Sequence, residues 1–326
     1  MTTKRGFLLA SIAFAIGAGL PSLAKAQDYP TRPITLIVPQ AAGGGNDVIA
    51  RILGENMSRT LGQQIVVENK PGAGGTIGTR LLASSAPDGY TLAMGSTGTV
   101  AIAPSVFPNA GYDPRKDFAP IGLIARSSIV LVVGPSVSAQ SVKELIELGK
   151  KEPGKLTYGS GGVGSGNHLA GLLFELMSGI KMTHVPFKGA NPAINDVMGG
   201  HVSMIFSSLP PTLGLIKGGK LRALGMGSTT RSKMLPEVPT IGEAGLPGFE
   251  AEQRYGLLAP AGTPPAVVAK LNAALRAALN SDEVKARIAA DGAEPVPSTP
   301  EQYVQDIDRD EAKWSNVIKE ASARTR

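Results

Sequence analysis

Ser165 stands three residues before His168, which puts a hydroxyl and an imidazole one helical turn apart. Such a pair is the start of a nucleophile–base arrangement. No acid is obviously set to orient the imidazole, and no G-x-S-x-G elbow occurs. The first reading of Ser165 and His168 is therefore as neutral hydrogen-bond donors at a helix start; a hydrolase or transferase using them is the alternative. Gly159-x-Gly161-x-x-Gly164 matches the dinucleotide fingerprint, between a strand and a helix. The confirming acid some twenty residues on is missing, since that region reads His184-Val-Pro-Phe-Lys188. His168, His184 and His201 are separated by 16 and 17 residues, a spacing that fits no metal motif. The chain has no cysteine, which excludes disulfides, thiolate metal sites and cysteine nucleophiles. No cofactor is called for.

What remains is the chemistry of glycine loops. Ile34–Pro39 is β-branched and apolar, as a strand buried on both faces is. Gln40-Ala-Ala-Gly-Gly-Gly-Asn-Asp47 follows, and then Val48, Ile49, Ile52, Leu53, Met57 and Leu61 form a helical stripe ended by Gly62. Strand, glycine loop and helix start together make an anion site from backbone N–H groups and the positive dipole end, without a charged side chain. Asn46 and Asp47 are good helix caps. A bare carboxylate facing an anion would repel it, so Asp47 is read as a cap rather than a ligand contact.

The unit repeats. Gln64–Glu68 is a strand, Asn69-Lys-Pro-Gly-Ala-Gly-Gly75 a loop, and Thr76–Ser84 a helix with Ile77, Leu81 and Leu82 inward. Tyr90–Met94 is a third strand, ending in Gly95-Ser-Thr-Gly-Thr99. Ile121–Ala125 and Ile129–Val133 read as two further strands, and Ser141-Val-Lys-Glu144 as a capping box. The pattern then restarts: strand Leu156–Tyr158, a glycine loop to Gly166, helix Asn167–Ser178, strand Met182–Pro186, helix Asn191–Met198, and strand Val202–Phe206 ending in Ser207-Ser208. Leu221–Met226 and Gln253–Ala259 are strand-like. A restart of such units predicts a second α/β domain. Thr299-Pro-Glu-Gln302 is another capping box, and the last helix carries Tyr303, Ile307, Trp314 and Ile318, expected to pack on the first domain.

Residues 1–26 read as a secretory signal: Lys4 and Arg5, a short apolar core from Phe7 to Leu20, then Ala24-Lys-Ala26 as cleavage site. Cleavage after Ala26 gives an exported, periplasmic chain. The formal charge of +6 overstates its basicity, because losing Lys4, Arg5 and Lys25 leaves 29 basic against 26 acidic residues. Without a dense basic run carrying interleaved aromatics, nucleic acid is excluded as a partner.

These residues carry a resemblance. Tyr29-Pro-Thr-Arg-Pro-Ile34, Pro39-Gln-Ala-Ala-Gly-Gly-Gly-Asn-Asp47, Glu68-Asn-Lys-Pro-Gly-Ala-Gly-Gly75, Pro87-Asp-Gly-Tyr-Thr91, Tyr112–Phe118, Val185-Pro-Phe-Lys-Gly189, Val238–Gly245 and Ala259–Pro264 occur in order over nearly the whole mature chain. The chain resembles the Bug-type substrate-binding proteins of tripartite tricarboxylate transporters. The resemblance implies a two-lobed periplasmic binding protein fold of type II-like form, each lobe a mostly parallel sheet flanked by helices, with two crossing strands as hinge. Lobe one is expected at 27–125 plus 250–326 and lobe two at 126–249. It implies a monomeric, non-enzymatic receptor for a small carboxylate, a di- or tricarboxylate or related organic acid. The partners would be membrane permease subunits or, alternatively, a sensor kinase. Carried over, Ala42, Gly43, Gly44, Asn46 and Asp47 would act by backbone, with Gly74 and Gly75; Ser96 and Thr97 would come from the third loop; Gly164, Ser165, His168, Lys188 and Ser207 would come from the second lobe. Two positions depart from the family pattern. Gln40 stands where an aromatic or apolar residue is usual, and Arg254 apparently where tryptophan is. If both face the ligand, a second polar or anionic group on it is expected. Arg254 could equally be a surface charge paired with Glu250 or Glu252.

Overall fold

The computed structural model describes residues 29–107, 109–290 and 292–324; the segment read as a secretory signal, residues 1–26, lies outside them. The opening unit forms as its pattern predicts. β1 (Ile34–Val38) is almost wholly buried, and α1 (Gly45–Leu61) lays Ile49, Ile52, Leu53 and Met57 against it before Gly62, at φ +69°, ends the helix. β2 (Ile65–Asn69), α2 (Thr76–Ala83) and β3 (Thr91–Ser96) complete a parallel triplet in the order β2-β1-β3. Parallel pairing puts the three following loops on one edge of the sheet. On α2 only Leu82 points inward as expected. Ile77 and Leu81 are 47% and 44% exposed, because this eight-residue helix buries the face of Thr76, Gly78, Thr79 and Leu82 instead.

A π-helical turn (Gly98–Ile102) and α3 (Ala103–Val106) lead into β4 (Phe118–Val133). The sequence suggested two strands here; the structure has one of 16 residues. Arg126-Ser-Ser128 does not interrupt it, since backbone pairing needs no apolar side chain and β9 (Glu252–Pro260) supplies partners through Ser128↔Glu252. Beyond that point β4 changes partners, pairing with β7 (Met204–Ser208) and β8 (Arg222–Met226) in a second sheet. One strand therefore belongs to both sheets.

The second sheet repeats the first. After α4 (Val142–Lys151), capped by Ser141 as predicted, come β5 (Thr157–Ser160), α5 (Gly166–Ser178), β6 (Thr183–Pro186) and α6 (Ala190–Met198). β7, β5 and β6 are parallel neighbours, and α7 (Pro210–Lys217) precedes β8. The chain then returns to the first sheet through β9, which lies between β3 and β4 and is antiparallel to both. Each lobe thus has a parallel triplet, with antiparallel strands where the lobes meet.

α8 (Pro265–Asn280), α9 (Asp282–Ala290) and β10 (Ala293–Pro295) finish the first lobe. The predicted Thr299/Gln302 box opens α10 (Pro300–Arg324), each residue bonding the other's backbone N–H at 2.9 and 3.3 Å. Helical spacing had placed all of α10 on the first domain. Tyr303 and Ile307 do pack there, but Trp314 and Val317 are buried with Phe174, Phe206 and Phe249 of the second lobe. A 25-residue helix spans some 37 Å at about 1.5 Å per residue, long enough to lie along both lobes. Trp314→Ala should therefore cost about 3–5 kcal/mol, as large aromatic truncations in cores do. Denaturant unfolding followed by circular dichroism checks this; no loss of stability would mean that the indole is not a core group.

Candidate functional site

The loop edges of the two sheets face each other across one small cavity of about 40 Å³. Among the described residues, four helices begin at it: α1 behind Gly44, α2 behind Gly75, α5 behind Ser165 and α6 behind Gly189. The three glycine caps have no side chain to accept from the first-turn amides. Those N–H groups are left for solvent or a ligand. Among the described residues, Lys188 is the one charged side chain lining the cavity, and no carboxylate does. The field there is set by helix ends and amides, which favours an anion.

Glycine is required where the lobes nearly touch. Gly74 has φ +66°, and a Cβ on it would sit 2.6 Å from the carbonyl oxygen of Val163 in the opposite lobe. Asn191 of α6 donates from Nδ2 to the oxygen of Ala42 across the gap, at 3.1 Å. Tyr255 forms the floor. It is fully buried, and its hydroxyl lies 2.6 Å from where a Cβ on Gly45 would be.

Of the expected residues, the cavity brings together Gln40, Gly44, Gly74, Gly75, Ser165 and Lys188. Ala42 and Gly43 are at the rim beside Asn191. Asn46 is completely buried off the cavity, with neither amide atom hydrogen-bonded. Asp47 is not the helix cap, which is Gly44. It reaches back from the first turn to accept the Gly43 N–H at 2.9 Å and also accepts from Arg51 and Asn69. Burial alone would raise its carboxyl; these hydrogen bonds and the Arg51 charge outweigh that and hold it below the usual carboxylate range. Asp47 thus braces the first loop from behind.

Ser96, the last residue of β3 and paired with Tyr255, and Thr97 are both buried, and Thr97 accepts the Arg254 N–H at 3.0 Å. Gly164 packs on the Phe107 ring, and Ser207 is fully buried with its hydroxyl on the Ser208 carbonyl. Sequence reasoning missed Asn167, Asn191, Ser208, Gln253 and Tyr255. The first two lie one or two residues into helices already placed at the site. The last two follow from strand alternation, once the phase of β9 is known.

That phase corrects the expectation for Arg254. Gln253 and Tyr255 face the cavity, so Arg254 turns to the other side of the sheet. Its guanidinium is paired with buried Asp310 of α10 and lies 3.4 Å from Glu252. It does not line the cavity and is buried rather than exposed, the pairing with Glu252 that the sequence allowed being present, and the second anionic group inferred through it loses that support. Arg254→Ala should cost about 3–5 kcal/mol, because it strands Asp310 as an uncompensated buried carboxylate. Affinity measured on the folded fraction should stay within about threefold; titration calorimetry beside thermal unfolding reads both.

The histidines behave differently from a catalytic pair. Ser165 accepts the backbone N–H of His168 at 3.4 Å, and the imidazole instead accepts the Gly164 N–H at Nδ1, 3.3 Å away. The arrangement that a hydrolase would need does not form. His168 lies against His184 in a tilted arrangement with ring centroids 4.2 Å apart, and His184 Nε2 meets the Ser160 hydroxyl at 2.6 Å. Burial and the neighbouring His184 push His168 down to about 3, and burial pushes His184 down to about 4. Both rings are neutral at pH 7. In the unfolded chain they titrate near 6.5, so below that pH the unfolded state takes up protons that the folded state refuses. Stability should be flat above pH 7 and fall from about pH 6.5 toward pH 4. Melting temperatures across that range check it, and the fall should be shallower in His184→Gln.

Two α/β lobes joined through the shared strand β4, meeting at a cavity ringed by helix starts, define a solute-binding receptor. A family model described as "Tripartite tricarboxylate transporter family receptor" matches residues 49–323, and the chain belongs to this family of receptors, which are not enzymes. Protein BugT of Bordetella pertussis is 39% identical over 319 residues, spanning 97% of this chain and 98% of its own. An R. palustris protein solved with adipate superposes with a TM-score of 0.88 at 36% identity, over 90% of this chain and 99% of that one. MatC from Rhodopseudomonas palustris, solved with bound malate, gives 0.85 at 35% identity, over 89% and 100%.

Proposed function

We propose that this chain, exported to the periplasm after cleavage at Ala26, captures a small carboxylate and delivers it to membrane permease subunits of a tripartite transporter. The observation that carries this reading is the convergence of four helix starts on a cavity with one cation and no acid among the described residues. Solved relatives hold adipate and malate, both carboxylates. One carboxylate is held by the amides around Gly44 and Gly75, and the other end of the molecule meets Lys188 and Asn167. The lobes comprise 27–125 plus 250–326 and 126–249, with the end of α10 reaching onto the second. They close about the points where β4 and the approach to β9 cross between sheets.

A thermal-shift titration with dicarboxylates tests this reading. A receptor gains about 2.7 kcal/mol of stability when ligand reaches a hundred times Kd. Gly74→Val should abolish the gain while the protein stays folded, because the new side chain meets Val163 and holds the lobes apart. Lys188→Ala should weaken binding by only about ten- to a hundredfold, the loss of one charge-assisted hydrogen bond. Elimination of binding by Lys188→Ala alone would sink the amide-based account.

A further inference from the structure

We propose that Gln253 sets the length of acid the cleft accepts, restricting it to chains of about four carbons or fewer. This rests on the carboxylate-receptor reading and adds a specificity determinant to it. All four helix starts reach the cavity, but at α5 the approach is narrowed by a side chain from β9. Gln253 Oε1 stands 2.5 Å from where a Cβ on Gly166 would lie, so the carboxamide packs against the first residue of α5. Gly166 is accordingly absent from the lining, although its neighbours Ser165 and Asn167 are part of it. The carboxamide is held in place, since Nε2 donates to the carbonyl of Arg254 at 3.2 Å and the side chain is buried. That carbonyl belongs to a residue locked by its ion pair with Asp310.

The remaining boundaries are close contacts. The Tyr255 hydroxyl, bonded to the Ser208 side chain, fixes the floor, and the Gly74–Val163 approach fixes the rim. Some 40 Å³ of free space holds only about three or four water molecules, each needing roughly 10–15 Å³. Gln253 fills the direction in which the space could extend, toward the amides of α5. A longer diacid would have to displace it.

The test is titration calorimetry of straight-chain diacids of three to six carbons. The parent protein, Gln253→Ser and Gln253→Met are compared, each with its melting temperature. The parent should bind the three- or four-carbon acid at least about a hundredfold more tightly than the six-carbon acid, at about tenfold or more per excess methylene. Gln253→Ser opens the space before α5 and should cut that ratio to about tenfold or less, through tighter binding of the long acid. Gln253→Met keeps the bulk and should keep the ratio. A folded Gln253→Ser with the parent's ratio overturns the proposal, as does a parent that prefers the six-carbon acid. A parent that binds none of the diacids overturns the carboxylate reading itself, a distinct result.

Discussion

The constraint on which this structure depends is the orphaned N–H group at a helix start. A helix cannot satisfy its own first amides, and the usual remedy is an oxygen-bearing side chain at the cap. At Gly44, Gly75 and Gly189 that remedy is withheld, and the three helices are aimed at one cavity. Such an arrangement costs stability until something anionic arrives. The nearby glycines follow from it, since a Cβ would stand between the amides and a ligand, or between one lobe and the other. Asp47 follows too. A carboxylate close to these amides would compete for them, so it is drawn behind the loop by Arg51, Asn69 and the Gly43 N–H.

Much of the fold was legible because its signals are local. β1 and α1, the two capping boxes, and the restart of strand–loop–helix units after residue 153 depend on neighbours in sequence. The failures share a different cause. Arg126-Ser-Ser128 looked like a break because side-chain polarity was weighed, whereas continuity of β4 is decided by backbone partners more than a hundred residues away. Ile77 and Leu81 have an inward-looking spacing, but α2 turns the face of Thr76, Gly78, Thr79 and Leu82 to β1, β3 and β9. Trp314 was assigned to the nearer domain, since spacing shows that a helix has an apolar face without showing what covers it.

The candidate site divides along the same line. Loops whose work is done by backbone were visible as glycines, and Gly44, Gly74 and Gly75 line the cavity. Side chains reaching it from a strand were not visible, because one step of register exchanges Arg254 for Gln253 and Tyr255. Arg254 was singled out as a charge near the cleft. Its partner Asp310 lies 56 residues on, on a helix whose position no local pattern reveals.

The place of β9 between β3 and β4 has a consequence for the order in which this protein can be assembled. The first sheet lacks its middle strand until residue 252 has been synthesised, although its neighbour β3 ends at residue 96. Contacts this distant in sequence close slowly, because the loop entropy is lost before the pairing is gained. The amino-terminal half cannot lock early into a finished domain while the rest is still emerging. On the proposed route of export, late closure of the sheet keeps the polypeptide loose during passage through the membrane.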